Sequence, residues 1–288
     1  MLARPRLALA LLGVLIILPG PLLSRIELNN SPEIYFPPDA PAVVLDAELR
    51  ETFPEDKFLL GLFEGKNLYS DGVLEPLHAL AKTLEEHRLV ERVLSVTTMD
   101  HIQATANGFA VERLIDPDAL DSRSPAEWQK RVVTDPFAPG LVAAPGGEAF
   151  ALLVRPTRLR DSMQRLELEK FFRESVAEHG LEDRLTAVAG QIALDVAQFR
   201  SMIRDLALLI PGTMLVGLVL LWWLFRRWLV VGLAAAAIAA VTGPAMALLA
   251  VLGKPFTLIT AIMPPLLTAL TVAMLMHFFN AVLHAGQR

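Results

Sequence analysis

Every acidic residue of this chain lies between Glu27 and Asp205, and the sequence on either side of that window is long, apolar and free of carboxylate. Apolar runs of that length call for a hydrocarbon surrounding, whereas the acid-rich middle calls for water. Seven of the 26 Lys and Arg residues fall outside the window: Arg4, Arg6, Arg25, Arg226, Arg227, Lys254 and Arg288. That leaves 19 bases against 31 acids in the middle, a formal charge of −12. The middle is therefore a solvated acidic domain and argues against a nucleic-acid partner. With no cysteine in the chain, disulfides and thiolate metal sites are excluded.

Crossing about 30 Å of hydrocarbon takes roughly 20 apolar residues. Four segments meet or approach that length: residues 7–23, 206–225, 228–252 and 256 to about 282. The first is short, contains Pro19, Gly20 and Pro21, and follows Arg4 and Arg6, so it reads either as a cleaved signal peptide or as an uncleaved first helix. The absence of a small-x-small cleavage site and the length of the run favour the uncleaved helix. If all four segments span, Arg4, Arg6, Arg226, Arg227 and Arg288 share one side, which the positive-inside rule makes cytoplasmic. Trp222, Trp223 and Trp228 flank the arginine pair as an interfacial aromatic belt. The expected domains are then a first transmembrane helix over 1–25, an external domain over 26–205, and transmembrane helices 2 to 4 over 206–288. In a bacterial inner membrane, outside means periplasm.

The last three segments carry Pro211 with Gly212, Pro244 with Gly243, and the pair Pro264 and Pro265. Each proline removes a backbone donor and frees a carbonyl one turn back, which predicts bends or local breaks. Such breaks read either as tolerated kinks or as openings along a transport path.

Within the external domain, KFLLGLF (57–63) suits a buried strand, and Val73, Leu74, Leu77, Leu80, Ala81 and Leu84 recur at helical spacing after Ser70 and Asp71. VERVLSV (90–96) reads as a second strand. The unit repeats as a strand in EAFALLV (148–154), a helix through Leu168, Phe171, Phe172, Ser175 and Val176, and a strand in RLTAVAG (184–190). Two strand-helix-strand units predict a split βαβ, ferredoxin-like α+β domain. Between them, residues 97–147 are rich in Pro, Asp and Gly and read as an inserted, partly mobile lobe with a short helix over 125–133. A final helix over 192–204 is expected to continue into the second span.

One span, a large external domain of this pattern and a closely spaced group of spans together resemble the first half of a resistance-nodulation-division (RND) exporter, nearest to the MMPL-like branch of lipid and hydrophobe exporters. The likeness is carried by AGQIALDVAQFRSMIRDLALLIPG (189–212), with its Gly, Asp205 and Pro211, and by GKPFTLITAIMPPLLTALTVAMLMH (253–277), with its Gly-x-Pro loop, proline pair and helical His. The resemblance implies an α-helical membrane protein with a porter-type periplasmic domain. Its cargo would be hydrophobic or lipidic, and its motion a hinge passing through the helix that holds Gln198 and Asp205. It also implies that the chain is a partial exporter, with the remainder of the exporter, a second subunit or further copies of itself as partners, and membrane lipids around it.

That family carries a titrating acid in the fourth span, at or beside the position of Met274 here, and Met cannot titrate. His277, one turn on, reads either as a packing group hydrogen-bonded to Thr271 or Asn280 or as a proton carrier. Thr271, Met274, His277 and Asn280 are the candidate transport-path residues, and Pro211, Pro244, Pro264 and Pro265 the candidate helix breaks. His78, His87, His101 and His179 lack ligand spacing and read as solvated surface. With no phosphate loop and no nucleophile–base pair, the chain reads as neither an ATPase nor another enzyme, and no cofactor is expected. A non-transporting scaffold or lipid-binding envelope protein is the alternative.

Overall fold

The computed structural model describes residues 5–29, 35–37, 39–52, 57–105, 108–159 and 161–285. In chain order the helices are α1 (Pro5–Ile17), α2 (Gly20–Leu23), α3 (Pro41–Thr52), α4 (Asp71–Glu85), α5 (Pro125–Thr134), α6 (Ser162–Glu178), α7 (Gln191–Phe225), α8 (Trp228–Val251) and α9 (Met263–Ala285). The strands are β1 (Leu59–Glu64), β2 (Val90–Leu94), β3 (Asp100–Thr105), β4 (Gly108–Arg113), β5 (Ala149–Pro156) and β6 (Leu185–Ala189). Two compact units result, one of Met1–Asn30 with Gln198–Arg288 and the other of Ser31–Ala197.

The Ser31–Ala197 unit is built on a four-stranded sheet of order β2-β5-β1-β6 in which every neighbouring pair is antiparallel. Along β1, Leu59, Gly61 and Phe63 are buried while Leu60 and Leu62 are half-buried, so the two faces of the sheet differ. Leu59 and Phe63 share one core with Leu74, Leu77, Leu80 and Leu84 of α4 and Leu168, Phe172 and Val176 of α6. Asp161 caps α6 by accepting from the Gln164 amide at 2.8 Å, which fixes where that helix starts. The register pairs Leu60 with Leu153 and Leu62 with Ala151, placing half-buried apolar side chains on the opposite face.

Residues 97–147 differ from the expected lobe. The helix at their centre is α5, as the spacing predicts, but the segment opens with a β3–β4 hairpin that the sequence did not reveal. Val96, Met99, Leu114, Ile115, Trp128, Val132 and Val142 are buried in the main core, so the insertion is part of the domain. Its Pro, Asp and Gly supply turns and caps: Ser124 and Glu127 form a reciprocal capping box, and Asp116 accepts from the Asp118 amide.

Gly190 joins β6 to α7 at φ +94, and a Cβ there would lie 2.4 Å from the carbonyl oxygen of Phe58, so only glycine suits this corner. From Gln191 the helix continues for 35 residues, about 50 Å at 1.5 Å per residue. Its first half is charged and its second apolar. The seam between the units falls at Gln198, ahead of the expected boundary after Asp205, because helix continuity ignores where the charges stop.

In the other unit, α7, α8 and α9 are each long and apolar enough to cross a membrane. Leu221, Val230, Ala234, Ile238 and Val272 form their shared core, extended by an edge-on contact of Phe225 with Phe279 at 5.5 Å between ring centres. The first apolar segment is divided into α1 and α2 by a turn at Leu18 and Pro19, and α1 alone covers about 20 Å. Pro19 is buried, and a Cβ on Gly243 would come within 3.4 Å of its ring, so this corner rests against α8. Beyond it, Phe256 donates its amide to the Glu27 carbonyl at 2.7 Å, and Asn29 donates to the Phe256 carbonyl at 3.2 Å.

The prolines fall in two settings. Pro211 and Pro244 sit inside helices that continue through them, and Pro264 and Pro265 occupy the first turn of α9, where the missing donors would be unpaired in any case. The last apolar segment begins its helix at Met263; residues 256–262 form a loop and a short 3-10 turn, tied by the Thr257 amide donating to the Thr260 hydroxyl at 2.7 Å.

Candidate functional site

Small residues on α7 and α9 shape a concavity of the apolar unit. A Cβ on Gly217 would lie 2.7 Å from Cγ2 of Val272, so the helices touch there backbone to side chain. Alongside that contact runs a groove of about 500 Å³, walled by Leu208, Leu209, Gly212, Thr213, Val216 and Leu220 of α7 and by Ala269, Ala273 and Met276 of α9. The one polar side chain in the wall is already engaged: the Thr213 hydroxyl donates to the carbonyls of Leu209 at 2.7 Å and Ile210 at 3.0 Å. The groove thus has no ionisable wall and no uncommitted donor, which suits an alkyl or ring surface and penalises a charged or strongly polar one.

Thr271 is buried and donates to the Leu267 carbonyl at 2.7 Å, and Thr268 likewise to Pro264 at 2.9 Å. Thr242 of α8 carries the unit's one buried hydroxyl without a hydrogen-bond partner among the described residues, one residue before Gly243-Pro244. At about 100° per residue, Met274 lies on the far side of α9 from the groove and is 74% exposed. His277 and Asn280 are exposed as well, and His277 has no side-chain hydrogen bond among the described residues. The structure therefore does not bring Thr271, Met274, His277 and Asn280 into one site. The residues that line the groove were missed, and their signal was the four-residue spacing of small residues, Thr213 with Gly217 and Ala269 with Ala273.

Gln198 and Asp205 are exposed positions on α7. Just upstream, Asp195 of α7 lies 3.4 Å from Arg165 of α6, a pair whose arginine is 3% exposed. That pair fastens the start of α7 to the α/β core.

The external histidines differ from the solvated surface expected of them. His101 is buried and pairs through Nδ1 with Asp135, whose other oxygen accepts from the amides of Phe137 and Ala138, both at 2.8 Å. Burial works to raise the Asp135 carboxyl, but these bonds and the facing imidazole together hold it below its ordinary value. His87 stacks on Phe171, and His179 sits 3.3 Å from the Thr83 hydroxyl. Both ring nitrogens of His78 are buried without a hydrogen-bond partner among the described residues, and burial, with Lys82 and Arg113 nearby, pushes its pKa down. Tyr69, its hydroxyl buried, is pushed up to about 12 by burial and by Glu148. Among the described residues no group of three or more His, Asp or Glu stands close enough to hold a metal ion. No family model matches the sequence, and no curated protein matches it either.

Proposed function

We propose that the chain is part of an RND-type exporter of the MMPL-like branch, moving hydrophobic or lipidic molecules from a bacterial inner membrane toward the periplasm. The observation that carries this reading is the apolar groove between α7 and α9, whose one hydroxyl is committed to its own helix. The helix forming one wall is also the helix that begins in the α/β unit. In this reading the spans rock against each other and the α7 segment through Gln198 and Asp205 carries the motion to a groove in the periplasmic domain.

Two finer features belong to the same proposal. The α/β unit is ferredoxin-like, supported by two β-α-β units interleaved in an antiparallel sheet of order β2-β5-β1-β6. The first apolar segment is a fourth span, supported by the backbone bonds that hold Glu27 and Asn29 to Phe256. An inward-to-outward first crossing requires that meeting, because α8 must end on the same side. The half-buried apolar face of the sheet, with Leu60, Leu62 and Leu153, suits packing against the remainder of the exporter or a second subunit.

Proline at Gln198 tests the lever. A proline inside a helix costs about 3 kcal/mol and breaks its hydrogen-bond ladder, so export from vesicles holding the complete protein should stop while the chain stays inserted. Unchanged export rules the lever out.

One observation favours the scaffold reading: no acid lies in any apolar segment, and Met274 faces away from the groove. Dissipating the proton gradient across the same vesicles separates the two. Export that collapses supports coupled transport through partner residues, and lipid binding without any export supports the scaffold.

A further inference from the structure

The turn between α7 and α8 holds two cations that no acid among the described residues neutralises. Arg226 and Arg227 are exposed, and neither side chain has an ion pair or hydrogen bond among the described residues. Asp205, the acid nearest in sequence, sits about 30 Å away along the helix axis, well beyond a screening length of about 8 Å. Another molecule can supply the counter-charge that the described residues do not.

Local geometry fixes how the pair is presented. The Arg226 amide donates to the Trp222 carbonyl at 2.7 Å, ending α7, and Arg226 itself adopts φ +50. This left-handed position is one where glycine is cheaper, yet the chain spends it on a guanidinium. Arg227 is extended at φ −130 and starts α8. Tryptophans flank the two charges in sequence. The rings of Trp222 and Trp228 lie 5.9 Å apart, and Trp222, Trp223 and Trp228 are 42%, 67% and 76% exposed. Their indole N–H groups have no hydrogen-bond partner among the described residues. Five donors on each planar guanidinium and three on the indoles thus gather where two apolar helices end.

We infer that this turn binds the phosphate of an anionic phospholipid. Guanidinium forks and indole N–H groups match phosphate and ester oxygens, and the flanking exposed Leu220, Leu224 and Leu229 match the acyl chains attached to them. A lipid is the favoured source over free phosphate, because only a lipid satisfies both the charged turn and the apolar helix ends. The inference rests on α7 and α8 being membrane spans.

The test uses the full chain in phosphatidylcholine vesicles, with acyl-brominated phosphatidylglycerol or acyl-brominated phosphatidylcholine as the quencher of tryptophan fluorescence. Each arginine near an anionic headgroup is worth about fivefold, so phosphatidylglycerol should be preferred by about 25-fold. The preference should survive millimolar inorganic phosphate, persist in R226K/R227K, and fall to near unity in R226Q/R227Q. Equal quenching by both lipids in the natural chain overturns the proposal, as does a preference that survives R226Q/R227Q. Cancellation by inorganic phosphate overturns the choice of a lipid as the source. Alkaline extraction of the same vesicles keeps the underlying reading separate: a chain released from the bilayer overturns the spans themselves, and a retained chain without preference overturns only the headgroup site.

Discussion

The two units hide their apolar side chains to opposite extents. In the Ser31–Ala197 unit Phe63, Leu74, Phe150 and Phe172 are almost wholly enclosed, and charged groups enter the interior in pairs such as Arg165 with Asp195. In the apolar unit Leu215, Trp223, Leu229 and Met274 are more than half exposed, and the shared core is small. A soluble domain with that exposure would aggregate; in a bilayer the lipid completes the packing. The first unit is thus held by its own core, whereas the second leaves apolar side chains of the kind a bilayer covers, so a given substitution should act very differently in the two.

Phe172→Ala carries the largest expected effect, about 3–5 kcal/mol from an enclosed aromatic in a core that cannot collapse around the gap. Trp128 is the one tryptophan of the α/β unit, so urea titrations of the full chain in detergent should show its emission shifting at much lower denaturant. A core in the apolar unit as dominant as this one would break the comparison. Asp195→Ala comes next, taking from the buried Arg165 the carboxylate 3.4 Å away at a cost of about 2 kcal/mol. If α7 is fastened to the α/β core by that pair, amide exchange near the start of α7 should accelerate while exchange over 228–251 stays unchanged.

Gly217→Leu sharpens the other side. Overpacking against Val272 should cost about 1–3 kcal/mol and force α7 from α9, lowering binding of a fluorescent fatty acid to the groove without moving the Trp128 transition. Unchanged binding would count against the groove as the cargo site.

Acid titration gives a smaller effect with a defined sign. The Asp135 carboxyl is held below its ordinary value in the fold, so its contribution is present above the unfolded value near 3.8 and is lost as the pH falls through the lower folded value. Melting temperature measured from pH 6 to pH 2 should therefore drop less steeply in Asp135→Asn than in the natural chain. Smallest is Arg88→Ala: its bidentate pair with Glu167 at 2.7 and 2.8 Å is solvent-exposed and should be worth less than about 1 kcal/mol.

Periodicity made much of the architecture legible. Alternation along 57–63 and helical recurrence over 73–84 are local, so the order of strands and helices could be read from single segments. The β3–β4 hairpin was not legible because Asp100, His101 and Gln103 interrupt any apolar alternation, and His101 turns inward only because Asp135 meets it 34 residues later. Helix starts depended on proline position: Pro264 and Pro265 read as breaks in an apolar run, whereas the chain uses them to begin α9. The groove was hard to read for a related reason. Met274 and His277 attract notice by chemistry, but a groove is made by the side chains that are missing, and Gly217 and Ala273 say little until α7 lies against α9.

By itself the sequence separated an acid-rich part suited to water from apolar runs long enough to cross a membrane, because clustered carboxylates and carboxylate-free apolar runs favour different solvents. Only the tertiary structure decided which face of α9 meets α7, which histidine is buried, and that the inserted segment belongs to the main core. Those outcomes depend on contacts between residues distant in the chain, whose energies exist only once the helices and strands are placed side by side.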